Sequence, residues 1–212
     1  GYGLTETAPI LALNRLDNFK DAAAGLPLPN VEIKIDKPDK KGVGEIFAKG
    51  PSVMPGYYKN PTATQDTFEN GWFKTGDLGY IDEDGFLFIC GRQKNVIIAN
   101  NGENVYPEEI EDILNRNQFV LECLVFGEKD EKHDERIAAL IVPDTSSFIE
   151  YSSRNNIQIT PEVVDQYISK AVKETNNQLV AFKQIKKYYI RENELEKTTT
   201  QKIKRHLAIK VA

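Results

Sequence analysis

Six residues near the start of the chain, Tyr2-Gly3-Leu4-Thr5-Glu6-Thr7, set an aromatic ring, a glycine, a hydroxyl and a carboxylate close together. Such a set can stack on a nucleobase, approach a phosphate and hold a divalent cation; it also fits an ordinary strand-to-loop end. A second cluster, Gly71-Trp72-Phe73-Lys74-Thr75-Gly76-Asp77-Leu78-Gly79, puts Asp77 between a glycine and the expected start of a strand. There a carboxylate can accept hydrogen bonds from both hydroxyls of a ribose, or cap a turn. The third feature is electrostatic. From Lys183 to Lys210 nine basic residues face three glutamates, a local excess of six positive charges that could meet phosphates or form a solvated basic face.

Composition bounds what these clusters can serve. The chain has 212 residues, 40% hydrophobic, enough to bury a core of one large or two small domains. Its net charge of −5 argues against a general nucleic-acid binder, so no nucleic-acid partner is expected. No apolar run approaches the roughly 18 residues of a membrane span, and the N-terminal residues lack the basic-then-apolar pattern of a secretory signal. Cys90 and Cys123 stand far apart without metal-ligand spacing, as two buried thiols of a reduced, cytoplasmic protein would. The only methionine is Met54, so Gly1 is not expected to be a natural start and a larger parent protein is expected.

The elements that must position these residues are legible in part. Val31 to Ile35 alternates apolar and polar, Gly44 to Lys49 follows suit, and both are expected strands. Gly79–Ile81 and Phe86–Cys90 should form a hairpin across Asp82-Glu83-Asp84-Gly85, whose Asp-Gly ending supplies a positive φ. That tetrapeptide lacks the regular oxygen ligands of a calcium loop. Beyond Arg92 helices and strands alternate. Pro107 opens a helix with Ile110, Ile113 and Leu114 on one face, and Thr160 caps another with Val164, Ile168, Ala171 and Val172 buried. Strands are expected at Val120–Phe126, Arg136–Val142 and Ile185–Ile190, with the polar segment Gly127–Glu135 joining the first two and a short final helix including Ile203 and Leu207. Pro143–Asn156 reads as a loop with at most one helical turn. The fold class is therefore α+β. A mostly β, distorted barrel-like portion at residues 1–91 precedes a compact α+β domain at 92–212.

Order and spacing add a further inference. Tyr-Gly-Leu-Thr-Glu is followed by Gly44-Glu45-Ile46, Gly56-Tyr57-Tyr58-Lys59-Asn60-Pro61, Gly-Trp-Phe-Lys-Thr-Gly-Asp-Leu and Gly91-Arg92-Gln93-Lys94-Asn95. Then come Asn101-Gly102-Glu103-Asn104-Val105-Tyr106-Pro107-Glu108-Glu109-Ile110-Glu111 and Glu196-Lys197-Thr198-Thr199-Thr200-Gln201-Lys202-Ile203. This succession resembles the adenylate-forming superfamily of acyl-CoA synthetases, luciferases and peptide-synthetase adenylation domains. It is most similar to the C-terminal part of long-chain fatty acid CoA ligases.

The resemblance implies a two-step reaction: a fatty acid is activated by ATP as acyl-AMP, then passed to coenzyme A, with AMP and pyrophosphate released. It makes Tyr2 the adenine-stacking ring, Thr5 a phosphate contact, Glu6 a magnesium ligand and Asp77 the ribose-binding carboxylate. Arg92 would contact ribose or phosphate, Lys94 would stand at the hinge of a mobile lid, and Gly102 would lie in the loop approaching the coenzyme A thiol. Lys202 would be the catalytic lysine of adenylation. The sequence departs from the family pattern at Gln201, where glycine is usual, at Glu196, where proline is usual, and at Asn95, where aspartate is common. The family's Ser/Thr/Gly-rich phosphate loop and most of its acyl tunnel precede the adenine motif, in an N-terminal large domain missing from these residues. The chain alone is therefore expected to be inactive and to bind ATP weakly. Peripheral membrane association of the parent is left open, and most of the C-terminal lysines are expected to stay solvated. Alternative readings are a ligase for another carboxylate, medium-chain or aryl, an acyl-carrier-protein ligase, and a non-catalytic binding or regulatory module.

Overall fold

Two apolar periodicities organise this chain, one of two residues along its strands and one of three to four along its helices. The computed structural model describes residues 1–129, 135–199 and 201–209, and its fold is α+β and mostly sheet. It separates into two compact units, Gly1–Lys94 and Asn95–Ala212. None of the helices is long and apolar enough to cross a membrane, among the described residues.

The first unit opens with the short pair β1 (Ala12–Leu13) and β2 (Leu26–Pro27). Its main sheet is antiparallel and contains β3 (Glu32–Asp36), β4 (Gly44–Lys49), β5 (Phe68–Glu69), β6 (Trp72–Ile81) and β7 (Leu87–Arg92). Between β4 and β5 in sequence lies α1 (Pro61–Thr67), capped by Asn60, whose Oδ1 accepts the Ala63 N–H at 3.1 Å. The central strand is β6, with β4 along one edge and β5 and β7 along the other. The sheet stays open: no closed barrel forms among the described residues. Along β6 the buried positions alternate, Phe73, Thr75, Asp77 and Gly79, so a carboxylate occupies a position that the pattern reserves for the interior. The hairpin over Asp82–Gly85 forms, with Gly85 at φ 85° and its N–H bonded to the Asp82 carbonyl at 3.0 Å.

In the second unit a small antiparallel pair, β8 (Ile97–Ile98) and β9 (Asn104–Val105), leads into α2 (Pro107–Leu114). Then come β10 (Val120–Lys129), β11 (Glu135–Pro143), α3 (Thr145–Asn155), α4 (Pro161–Asn176), β12 (Lys187–Ile190) and α5 (Arg205–Ala208). β10 and β11 pair antiparallel, and β12 joins β11 in parallel. Successive side chains on these strands point to opposite faces. Cys123, Val125, Ile137, Ala139 and Ile141 pack with Ile110 and Leu114 of α2, Phe148 of α3 and Ile168 of α4. Leu124, Phe126, Ala138, Leu140 and Val142 form a second cluster with Leu195, Ala208 and Ile203. The C-terminal segment is thus the cover of one sheet face.

Three expectations need correction. Pro143–Asn156 is not a loop: α3 fills most of it, capped by Asp144, whose Oδ1 accepts the Ser146 and Ser147 N–H groups at 2.9 and 3.2 Å. The helix was hidden because its sequence is polar, with Phe148 and Tyr151, one turn apart, docking against Phe119 and Tyr167. Ile203 lies outside the final helix and bridges Lys197 in an antiparallel contact. Cys90 is half-buried, while Cys123 is buried. The centre of the expected Gly127–Glu135 connection lies outside the described residues; Gly127 to Lys129 continue β10. Replacing Asp144 by alanine should cost about 1 kcal/mol through the lost cap. Urea melts of the wild-type and Asp144→Ala chains check this, and an unchanged midpoint would count against the capped helix.

Candidate functional site

The first unit builds its site around Asp77. The step from Glu45 to Phe47 on β4 is matched by a longer step from Leu78 to Lys74 on β6, so Thr75-Gly76-Asp77 bulge out of the ladder. Gly76 makes the bulge affordable, with φ 70° and open space where a Cβ would stand. Thr75 fixes its shape: its hydroxyl donates to the Ile46 carbonyl at 2.7 Å and accepts the Asp77 N–H at 3.1 Å. Asp77 therefore lies inside a strand rather than at the start of one, and only 5% of its surface is exposed.

A carboxylate buried this far needs partners. Two sequence-distant groups supply them. The Tyr2 hydroxyl donates to Asp77 Oδ2 at 2.8 Å, and Arg92, opposite Asp77 in the register of β6 and β7, brings its Nε to Oδ1 at 2.8 Å. Burial, helped by the Asp77 charge, pushes the Tyr2 phenol far above its ordinary range, so it stays a donor. The structure thus gathers Tyr2, Asp77 and Arg92 into one cluster.

Thr5 and Glu6 follow Tyr2 after Gly3 and Leu4, in a single 3₁₀ turn, Thr5–Thr7. Thr7 secures that turn: its hydroxyl accepts the Leu4 N–H at 2.9 Å and is itself buried. Gly3 is required there, because a Cβ would come within 1.7 Å of the Pro9 carbonyl oxygen. Thr5 is exposed and Glu6 half-buried. Sequence reading assigned no role to Tyr57, whose hydroxyl donates to Glu6 Oε1 at 3.0 Å. Burial first, and Glu6 second, raise the Tyr57 phenol above its ordinary value. The signal that could have found it is its place in the Gly56-Tyr57-Tyr58-Lys59-Asn60-Pro61 motif, next to Met54, whose N–H binds the Glu6 carbonyl at 2.8 Å. Glu6 offers one carboxylate, and no group of three or more His, Cys, Asp or Glu is placed to hold a metal ion among the described residues. That donor set suits Mg²⁺, which takes one or two carboxylates and completes its shell with phosphates and water.

Lys94 is an exposed residue in the 3₁₀ turn Gln93–Asn95. In the second unit Gly102 caps the loop between β8 and β9, its N–H bonded to the Ala99 carbonyl at 2.8 Å, at φ 80° and with nothing within 4 Å of a Cβ position. The loop can therefore approach a ligand through its backbone. Lys202 stands at the end of a tight turn: the Thr198 N–H binds the Lys202 carbonyl at 2.8 Å, and Thr198 Oγ1 accepts the Lys202 N–H at 3.2 Å. Gln201 takes φ 61°, the left-handed region that glycine occupies freely. Lys202 is exposed, and its ammonium has no ion-pair partner among the described residues.

Several of its basic neighbours take part in ion pairs. Lys183 pairs with Glu109, Lys187 with Glu128, Lys197 with Glu122 and Glu194, and Arg205 with Glu111. Glu109, Glu111, Glu122 and Glu128 lie far upstream, so counting charges within the run could not reveal them. Glu111 is deeply set: burial raises its carboxyl above the ordinary range, opposed by the Arg205 charge and the Val125 N–H.

Comparison with known proteins places these features. Residues 1–58 match the family model "AMP-binding enzyme", and residues 94–211 match "AMP-binding enzyme C-terminal domain". A long-chain-fatty-acid–CoA ligase, FadD15 of Mycobacterium bovis, is 34% identical over 97% of this chain, which spans 35% of that relative. The chain thus covers about a third of the curated relative's length. Among solved structures, the anthranilate CoA ligase AuaEII in complex with anthranoyl-AMP aligns over 100% of this chain and 39% of its own, with TM-score 0.80 and 26% identity. The o-succinylbenzoate coenzyme A synthetase of Bacillus subtilis in complex with AMP aligns over 97% of this chain and 39% of its own, with TM-score 0.74 and 31% identity. The motif order, the fold of both units and these matches together show that the chain belongs to the adenylate-forming AMP-binding enzymes.

Proposed function

We propose that this chain supplies the nucleotide-contacting and lid portions of a cytoplasmic, ATP-dependent acid–CoA ligase whose acid is a long-chain fatty acid. The observation that carries this reading is the meeting of the Tyr2 hydroxyl and the Asp77 carboxylate, 75 residues apart, with Arg92 on the other carboxylate oxygen. An adenine nucleotide needs an aromatic surface, a ribose acceptor and a cation beside its phosphate. Tyr2, Asp77 and Arg92 have these properties in one place.

In the adenylation step the carboxylate attacks the α-phosphorus of ATP, and pyrophosphate leaves. Thr5 would contact phosphate and Glu6, steadied by Tyr57, would hold Mg²⁺, which when bound neutralises phosphate charge. Lys202 would bring its ammonium to the phosphorus as negative charge gathers, stabilising the transition state more than the ground state. In the second step the coenzyme A thiol attacks the acyl carbon and AMP leaves, with the open backbone at Gly102 beside the thiol arm. Lys94 would be the pivot between the two presentations. The fatty acid is favoured by the similarity to FadD15 over nearly the whole chain. An aryl acid is the second reading, supported by the likeness to the anthranilate and o-succinylbenzoate ligases.

In the full-length enzyme, Lys202→Ala should slow acyl-adenylate formation by about 100-fold or more, as expected for loss of a group stabilising transition-state charge. Thioester formation from supplied acyl-adenylate should be unaffected. Pyrophosphate exchange measures the first and thiol consumption the second; equal loss of both would refute the role of Lys202. Exchange with long-chain, medium-chain and aryl acids in parallel ranks the substrates, and a preference for aryl acids would overturn the fatty-acid reading. Gln201→Gly should stabilise the chain by about 1 kcal/mol by relieving a left-handed side-chain residue, read as a higher urea midpoint. A lower midpoint would contradict the turn geometry.

A further inference from the structure

Three residues beyond Lys202, Arg205 reaches back 94 positions to Glu111 on α2. Its Nη2 lies 2.6 Å from Oε1 and 2.5 Å from Oε2, a two-oxygen grip, and its Nη1 donates to the Val125 carbonyl of β10 at 2.9 Å. Glu111 closes the circuit by accepting the Val125 N–H on Oε1 at 2.6 Å. Both side chains are largely shielded, at 20% exposure for Arg205 and 14% for Glu111. The guanidinium is thus bolted to a helix and to an edge strand at once.

The backbone between Arg205 and Lys202 leaves little slack. Lys204 N–H binds the Glu196 carbonyl at 2.7 Å, Ile203 bridges Lys197, and the Thr198–Lys202 bond closes the turn. The incoming leg of this hairpin has its own anchor, the buried carboxylate of Glu122, which accepts the Leu195 N–H at 2.5 Å and the Lys197 ammonium at 2.9 Å. One carboxylate therefore fixes each leg, with the exposed Lys202 between them. A shielded ion pair recovers little net stability once its desolvation is counted, so folding energy alone is a weak reason for this arrangement. Aiming a charge is a stronger one: a displacement of about 1 Å in a catalytic group can cost on the order of 100-fold in rate.

We propose that Arg205, through Glu111 and the Val125 carbonyl, is a positioning residue for adenylation, holding the hairpin that presents Lys202. This rests on the reading of Lys202 above. Arg205 itself touches no substrate.

The test compares Arg205→Met, Arg205→Lys and Lys202→Ala. In the 212-residue chain, amide hydrogen exchange at Thr198, Lys202 and Lys204 should accelerate by about tenfold or more in Arg205→Met, while α4 keeps its protection. In the full-length enzyme, kcat for acyl-adenylate formation should fall by about 100-fold with KM for acid and ATP changed less than about threefold. Thioester formation from supplied acyl-adenylate should keep its rate. Arg205→Lys, which keeps the charge but not the fork, should fall between Arg205→Met and wild type in both exchange and kcat. If Arg205→Met does not fold, Arg205→Lys decides. Unchanged hairpin exchange with unchanged adenylation overturns the proposal, as does equal loss of both half-reactions. Lys202→Ala separates the two ideas: if it adenylates at the wild-type rate, the reading of Lys202 fails, and if it is crippled while the Arg205 variants are normal, only the positioning fails.

Discussion

Both faces of β10 and β11 are apolar, and a sheet of that kind is stable only when each face is covered. Helices α2, α3 and α4 cover one face, leaving Leu124, Phe126, Ala138, Leu140 and Val142 to be met by the chain's last segment. Leu195, Ile203 and Ala208 do this. Between Leu195 and Ile203 the chain folds back on itself, with Lys197 bridged to Ile203, and the exposed Lys202 lies at that turn. The hydrophobic effect thus does more than fold the second unit: it delivers the Lys202 turn to a defined place, and the Glu122 and Glu111 contacts refine that place.

The first unit depends on an opposite kind of constraint. Asp77 holds an interior position of β6, where an ionised carboxylate without partners would cost several kcal/mol. The cost is offset by Tyr2 from the start of the unit and Arg92 from its last strand. Because the bulge at Gly76 aims Asp77, the paired strand β7 supplies Arg92 by register and the Tyr2 strand-end supplies the phenol, the cluster is a product of backbone geometry. On the proposed reading a ribose would meet an acceptor whose direction is already set.

The chain's departures from the family pattern also acquire physical content. Gln201 carries the left-handed backbone that glycine would adopt freely, so the turn before Lys202 keeps its shape at some conformational cost. Asn95, where a charge is common, donates to Glu108 Oε1 at 2.6 Å and so remains a hydrogen-bonding residue.

What the sequence determined by itself was local and periodic. Alternation marked β3 and β4, the segments Val120–Phe126 and Arg136–Val142 read as strands, Thr160 and Pro107 marked two helix starts, Asp-Gly marked the β6–β7 turn, and the order of motifs marked the family. These signals are short-range: each depends on neighbours along the chain. α3 escaped because only Phe148 and Tyr151 commit it to the core, and its stability comes from Phe119 and Tyr167 in other elements. The partners of Asp77, the hold of Tyr57 on Glu6 and the grip of Arg205 on Glu111 were decided by tertiary structure alone. They join groups on different elements, up to 94 positions apart for Arg205 and Glu111, and no spacing rule along one strand or helix encodes which carboxylate a given cation will find. Folding brings them together because a buried charge has nowhere else to go.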